Sequence, residues 1–129
     1  MKIVMTGATG YIGKKVLKRL VDEEHQIYAV VRDESRLDDV RDQVAGVIHS
    51  TPYLQLYEAC ENIKPDAYIN LAGAYCGRHT PEKIEELIDG NLTLPTYVTD
   101  AVVKAGCRKV IHTGSYQQCY QGEDFNPIN

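Results

Sequence analysis

Met5-Thr6-Gly7-Ala8-Thr9-Gly10-Tyr11-Ile12-Gly13 is the stretch on which the reading of this chain turns. It follows a mostly apolar run, Lys2 to Met5, that reads as a strand. It opens a segment with Ile12, Val16, Leu17, Leu20 and Val21 at helical spacing. Its glycines fall where a strand must turn sharply into a helix. Gly7 permits the tight turn, Gly10 lets a phosphate approach the backbone, and Gly13 lets the new helix pack against the sheet. The helix N-terminus then offers unpaired N–H groups and a partial positive charge to a pyrophosphate. The spacing is Gly-x-x-Gly-x-x-Gly, not the Gly-x-Gly-x-x-Gly of most dinucleotide-binding turns. An ordinary glycine-rich turn is the competing reading. The position between strand and helix, at the start of a βαβ unit, weighs against it.

The remaining elements alternate. Strand two is expected over Gln26–Arg32. Ser35 reads as the N-cap of a short polar helix through about Val44, and a weak third strand covers Gly46–His49. Pro52 starts a helix to about Ile63, and Lys64-Pro65-Asp66 is a turn. The near-continuous apolar run Ala67–Ala72 suits a strand buried on both faces. A long helical stretch runs from about Pro81 to Ala105, bent or interrupted by Gly90, Asn91 and Pro95. Strand five is Arg108–Thr113, after which the chain reads as irregular to Asn129. Five strands alternating with helices predict an α/β, doubly wound parallel sheet of order 3-2-1-4-5. A ligand is then expected at the carboxyl ends of strands one, two, four and five, across the switch point between strands one and four.

The 129 residues suffice for one domain with a real core, and 43% hydrophobic with 25% charged residues is a globular balance. A net charge of −4 and a pI near 5.5 argue against a nucleic-acid or membrane surface as the main partner. No apolar run approaches the length of a membrane span, and no signal-peptide layout precedes strand one. Cys60, Cys76, Cys107 and Cys119 include no C-x-x-C pair, which suggests free thiols and a cytoplasmic location. The histidines are equally scattered, and no metal site is expected.

The strand-end residues carry a resemblance. After strand four comes Asn70-Leu71-Ala72-Gly73-Ala74, and after strand five Thr113-Gly114-Ser115-Tyr116. With Thr6–Gly13, these resemble the short-chain dehydrogenase/reductase superfamily. The closest match is its extended branch, the sugar-nucleotide epimerases, dehydratases and reductases. Asn91 to Gly106 also looks like that branch's Asn-containing helix ahead of strand five. The resemblance implies a Rossmann-like fold and a nicotinamide dinucleotide whose pyrophosphate lies at Gly10–Ile12. Gly7, Thr9, Tyr11 and Gly13 belong to the same turn. The nicotinamide and its ribose would run past Leu71, Ala72 and Gly73 and past Thr113 towards Ser115. A nucleotide sugar would be the substrate of the full enzyme.

The same resemblance exposes a gap. In this family a Tyr-x-x-x-Lys pair does the acid–base chemistry, in a helix after strand five. The spacing occurs here only at Tyr11 and Lys15, at the cofactor turn. Tyr116 and Tyr120 have no lysine four residues on. The chain is therefore expected to be the amino-terminal cofactor portion of a longer enzyme, truncated before the catalytic helix and lacking the substrate lobe. By itself it would transfer hydride slowly or not at all. A non-catalytic dinucleotide-binding sensor or regulatory module is the second reading. An in-frame Tyr-x-x-x-Lys beyond Asn129 would distinguish the two.

Cofactor choice rests on the end of strand two. A carboxylate about 20 residues past the glycines holds an NAD ribose. Here Val31 occupies that place, followed by Arg32 and Asp33. Arg32 favours NADP, through its planar guanidinium and a 2′-phosphate. The opposing reading has Arg32 solvated and Asp33 on the ribose of NAD. His49 reads as a surface residue more readily than an adenine contact. Ser115 either orients the reacting oxygen, a catalytic role, or is a loop hydroxyl. Asn91 suits a structural role at the helix break, bonding backbone groups. Strand five would leave an apolar edge, so a homodimer or swapped assembly across Arg108–Thr113 is expected.

Overall fold

In the computed structural model, residues 1–115 are described throughout, together with the backbone of Tyr120–Gln121 and Asp124–Phe125. Strands β1 (Lys2–Thr6), β2 (Gln26–Val31), β3 (Gly46–His49), β4 (Ala67–Asn70) and β5 (Val110–His112) form one parallel sheet in the order β3-β2-β1-β4-β5. The expected topology is the observed one. Helices α1 (Tyr11–Asp22), α2 (Tyr53–Ile63), α3 (Pro81–Ile88) and α4 (Leu94–Lys104) connect the strands.

Strand periodicity explains why the sheet is covered on both sides. Successive side chains point to opposite faces. Ile3 and Met5 of β1, Ile27 and Ala29 of β2, and Ala67 and Ile69 of β4 meet Leu17 of α1 in one buried cluster. Val4, Val30 and Tyr68 point the other way and pack with Leu56 and Cys60 of α2 and Val98, Ala101 and Val102 of α4. Both faces are apolar, so the central strands read as continuous hydrophobic runs instead of alternating ones. Fully burying a side chain such as Leu17 is worth about 2 kcal/mol.

Several boundaries differ from the sequence expectation, each for a local reason. The polar helix expected after Ser35 is instead two 3-10 turns, Glu34–Leu37 and Arg41–Gln43. The cap is Asp33, whose carboxylate accepts from Ser35 N at 2.9 Å, so the chain turns two residues earlier and more tightly. The long helical stretch is interrupted at Gly90 and Asn91 as expected, but by a π-turn and not by a gap. A π-turn at Asp89–Thr93 joins α3 to α4 and admits one extra residue per turn, and Pro95 sits at the start of α4, where its missing N–H is tolerated. Strand four ends at Asn70 and strand five covers only Val110–His112. Beyond them, the stretch read as irregular contains two short antiparallel strands, β6 (Tyr120–Gln121) and β7 (Asp124–Phe125). Two-residue strands are too short to leave a periodic signal in sequence.

Among the described residues, no helix is long and apolar enough to cross a membrane, and no group of His, Cys, Asp or Glu side chains is placed to hold a metal.

Candidate dinucleotide site

The β1–α1 turn is shaped by steric exclusion. Gly7 adopts φ +73°, in the left-handed region. A Cβ there would lie 2.7 Å from both Leu71 C and Ala72 N, so the turn also presses on the backbone beyond β4. Gly13 is tighter still: its Cβ would stand 1.8 Å from Gly7 O. The sequence reading gave Gly13 a role in helix–sheet packing; the nearest obstacle is the carbonyl of the turn itself. Gly10 differs. It is the N-cap of α1 with extended backbone, and an added Cβ would meet only Gly7 O, at 3.4 Å. Gly10 N donates to Gly7 O at 3.1 Å, closing the turn.

Helix α1 starts without a side-chain cap and without an acidic residue in its first turn. Its first amides are the donors that an α-helix leaves without intrahelical acceptors. They sit at the positive end of the helix dipole, beside an open cleft of about 530 Å³. The cleft lies at the carboxyl ends of the central strands. Gly7, Thr9 and Gly10 form one wall, and Leu71, Ala72 and Gly73 another. Val30, Val31, Arg32 and Asp33 close the β2 end, where Arg36 joins them. Glu86 of α3, Gly90 of the π-turn and Leu94 of α4 complete it. The donor set and the missing Cβ at Gly10 fit a pyrophosphate, and the size and the separated strand ends fit an extended dinucleotide.

Not every residue nominated from sequence lines this cleft. Tyr11 and Ile12 project outward, 80% and 64% exposed, and Gly13 lies buried beneath the turn. Lys15 places its ammonium 5.1 Å from the centre of the Tyr11 ring, on the surface of α1. Thr113 is committed to the sheet: its N and Oγ1 both donate to Asn70 O, at 3.1 and 2.8 Å. Ser115 lies two residues farther on and is exposed. His49 Nε2 lies 2.8 Å from Glu34 Oε1 and does not line the cleft. Tyr116 lies outside the described residues.

A buried polar chain ties the strand ends together beneath the cleft. Thr6 Oγ1 donates to Asn70 Oδ1 at 2.5 Å, and Ala72 N donates to Thr6 Oγ1 at 3.3 Å. Asn70 Nδ2 donates to His112 Nδ1 at 2.8 Å. Thr6 and Asn70 are almost wholly buried, so each needs these partners. The chain crosses β1, β4 and β5 and holds the loop after β4 in place.

The β2 end is dense with charge. Arg32 Nη1 lies 2.7 Å from Asp89 Oδ2. The backbone N–H of Ser35 holds the Asp33 carboxyl below its usual range, with a smaller pull from Arg36. Lys83 does the same for Glu86, helped by Arg32 and Arg36. Arg36, Glu86 and Asp89 were not singled out from sequence. Arg36 was open to discovery as a second arginine just after β2. Asp89 was not, because it is 57 positions from Arg32 and only the fold brings them together.

Comparison with known proteins agrees with this architecture. The description "NAD dependent epimerase/dehydratase family" matches residues 3–128. The chain belongs to this family. Among characterised relatives, a CDP-abequose synthase from Yersinia pseudotuberculosis is 28% identical over 116 residues, covering 90% of this chain and 40% of the relative. The chain thus spans well under half of that relative's length. Among solved structures, serine dehydrogenase from Escherichia coli superposes with a TM-score of 0.79 at 23% identity, covering 94% of this chain and 65% of that one. A UDP-glucose-4-epimerase from Stenotrophomonas maltophila, with bound NAD and formylated UDP-arabinopyranose, gives 0.76 at 19% identity, covering 99% and 40%. These two likenesses establish the fold.

Proposed function

We propose that residues 1–129 form one NAD(P)-binding domain of an oxidoreductase acting on a nucleotide sugar, as an epimerase, dehydratase or reductase. The observation that carries this reading is the uncapped start of α1 beside a cleft walled by Gly7, Gly10 and the Leu71–Gly73 backbone. Gly10–Ile12 hold the pyrophosphate through backbone amides. Leu71 to Gly73 flank the nicotinamide ribose, and Ser115, beyond β5, orients the reacting oxygen. A bound nicotinamide dinucleotide supplies the hydride acceptor or donor. Among the solved structures of this fold, one holds NADP+ and another NAD, so the architecture accommodates either. Arg32 and Arg36 at the β2 end favour NADP here.

The chain's only Tyr-x-x-x-Lys, Tyr11 and Lys15, lies on α1 at the phosphate end. The 129 residues alone therefore bind dinucleotide without appreciable hydride transfer. The apolar strand β5 lies at the sheet edge with Ile111 57% exposed, which supports pairing with a second copy across that edge. Light scattering at high micromolar concentration should then give twice the chain mass, and a monodisperse monomer would remove that part of the proposal.

Fluorescence titration with NADPH and NADH tests the central reading. Wild type should bind both, NADPH more tightly, and Arg32→Asp should weaken NADPH relative to NADH. Absence of binding by either nucleotide overturns the reading.

A further inference from the structure

Arg32 does not stand alone at the β2 end of the cleft. Its Nη1 meets Asp89 Oδ2 at 2.7 Å; the two side chains are 54% and 46% exposed, and Arg32 itself lines the cleft. A guanidinium has five donors in a planar fork, so one carboxylate on Nη1 leaves donors for a second anion. The carboxylate nevertheless cancels most of the net charge that an incoming anion would feel. We propose that Asp89, by holding Arg32, sets how far this site discriminates a 2′-phosphorylated dinucleotide from its 2′-hydroxyl counterpart. The proposal rests on the reading of the cleft as a dinucleotide site.

Two features make Asp89 more than a chance surface partner. It opens the π-turn Asp89–Thr93, whose Gly90 lines the same cleft. The turn is also pinned: Asn91 makes two hydrogen bonds of 2.9 Å to the backbone of Ala74, just beyond the cleft wall at Gly73. The carboxylate is therefore presented to the β2 end by the architecture of the α3–α4 junction. A 2′-phosphate brought to Arg32 must compete with Asp89 for one cation and so draws less attraction from it. A 2′-hydroxyl need not. Asp89 thus penalises the phosphorylated cofactor selectively and keeps the preference for it small.

The test is titration of NADPH and NADH into the 129-residue chain and its Asp89→Asn variant at low ionic strength. Loss of the carboxylate should tighten NADPH about threefold to fivefold, the range of an exposed ion pair, and change NADH less than about twofold. The gain should shrink in about 0.5 M NaCl. In an Arg32→Gln background Asp89→Asn should give no gain, because the residue acts through the arginine. Both side chains are half exposed, and circular dichroism should show an unchanged fold. An unchanged NADPH-to-NADH ratio, or a gain that persists without Arg32, overturns the proposal while leaving the dinucleotide reading intact. Failure of the wild-type chain to bind either nucleotide overturns both.

Discussion

Asn91 and Ala74 form a reciprocal clamp. Asn91 Oδ1 accepts from Ala74 N, and Asn91 Nδ2 donates to Ala74 O, both at 2.9 Å. The side chain acts as a piece of backbone, pairing the loop after β4 with the π-turn. The neighbouring Gly90 lets them approach, since a Cβ there would stand 2.8 Å from the Ala74 Cβ. Asn91→Ala removes both bonds and should lower stability by about 1–2 kcal/mol, with faster hydrogen exchange at Ala74. Asn91→Asp retains the acceptor but loses the donor and should not restore the wild-type urea midpoint. A midpoint unchanged in either variant would contradict the clamp.

Two of the three glycines of the turn, Gly10 and Gly13, should separate fold from binding. Gly13→Ala forces a methyl against Gly7 O and should destabilise by about 3 kcal/mol or more, read as a fall in urea midpoint. Gly10→Ala meets no comparable obstacle and should leave the midpoint within about 0.5 kcal/mol of wild type. Its methyl occupies the approach to the helix start, so NADPH and NADH should both bind at least about tenfold more weakly. Unchanged affinity would show that no phosphate comes close to Gly10.

Asp100 links α4 to α2. Its carboxylate accepts from Lys104 at 2.7 Å and from the Tyr57 hydroxyl. Lys104 first, then Tyr57, holds the carboxyl below its ordinary value of 3.8. A carboxyl depressed on folding adds stability above its unfolded value and loses it as pH falls through the folded value. The stability difference between wild type and Asp100→Asn should therefore be present at pH 6 and shrink below about pH 3.8. Denaturation at stepped pH measures it. A difference that persists undiminished to pH 2 would exclude the carboxylate as its source.

Cys60 is wholly buried in the α2–α4 core, and burial pushes its thiol up to about 11. At pH 8 its thiolate fraction is then on the order of one in a thousand. Mass-resolved alkylation under native conditions should modify Cys76, which is partly exposed, well before Cys60. Equal rates would show that α2 opens readily from the sheet.

How much of this was legible in sequence follows from the range of the interactions. Gly7, Gly10 and Gly13 announce the crossover because a tight turn and a helix start are local demands on the backbone. The sheet order was legible because apolar strand runs alternate with helical ones, and right-handed crossovers leave few arrangements. Asp33 displaced Ser35 as a cap because a choice between adjacent capping residues is settled by a single hydrogen bond. Gly90 and Asn91 marked the interruption of the long helix, but its form as a π-turn was hidden, because the Asn91 bonds to Ala74 that accompany it cross 17 positions.

The sequence by itself determined the parallel sheet, the tight glycine turn of the first crossover and the family to which the chain belongs. These depend on periodicity and on backbone freedoms carried by single residues. Only the tertiary structure decided which nominated side chains line the cleft, that Thr113 serves the sheet, and that Arg32 faces Asp89. Those outcomes depend on groups far apart in the chain meeting at one sheet edge, and no local pattern encodes the meeting.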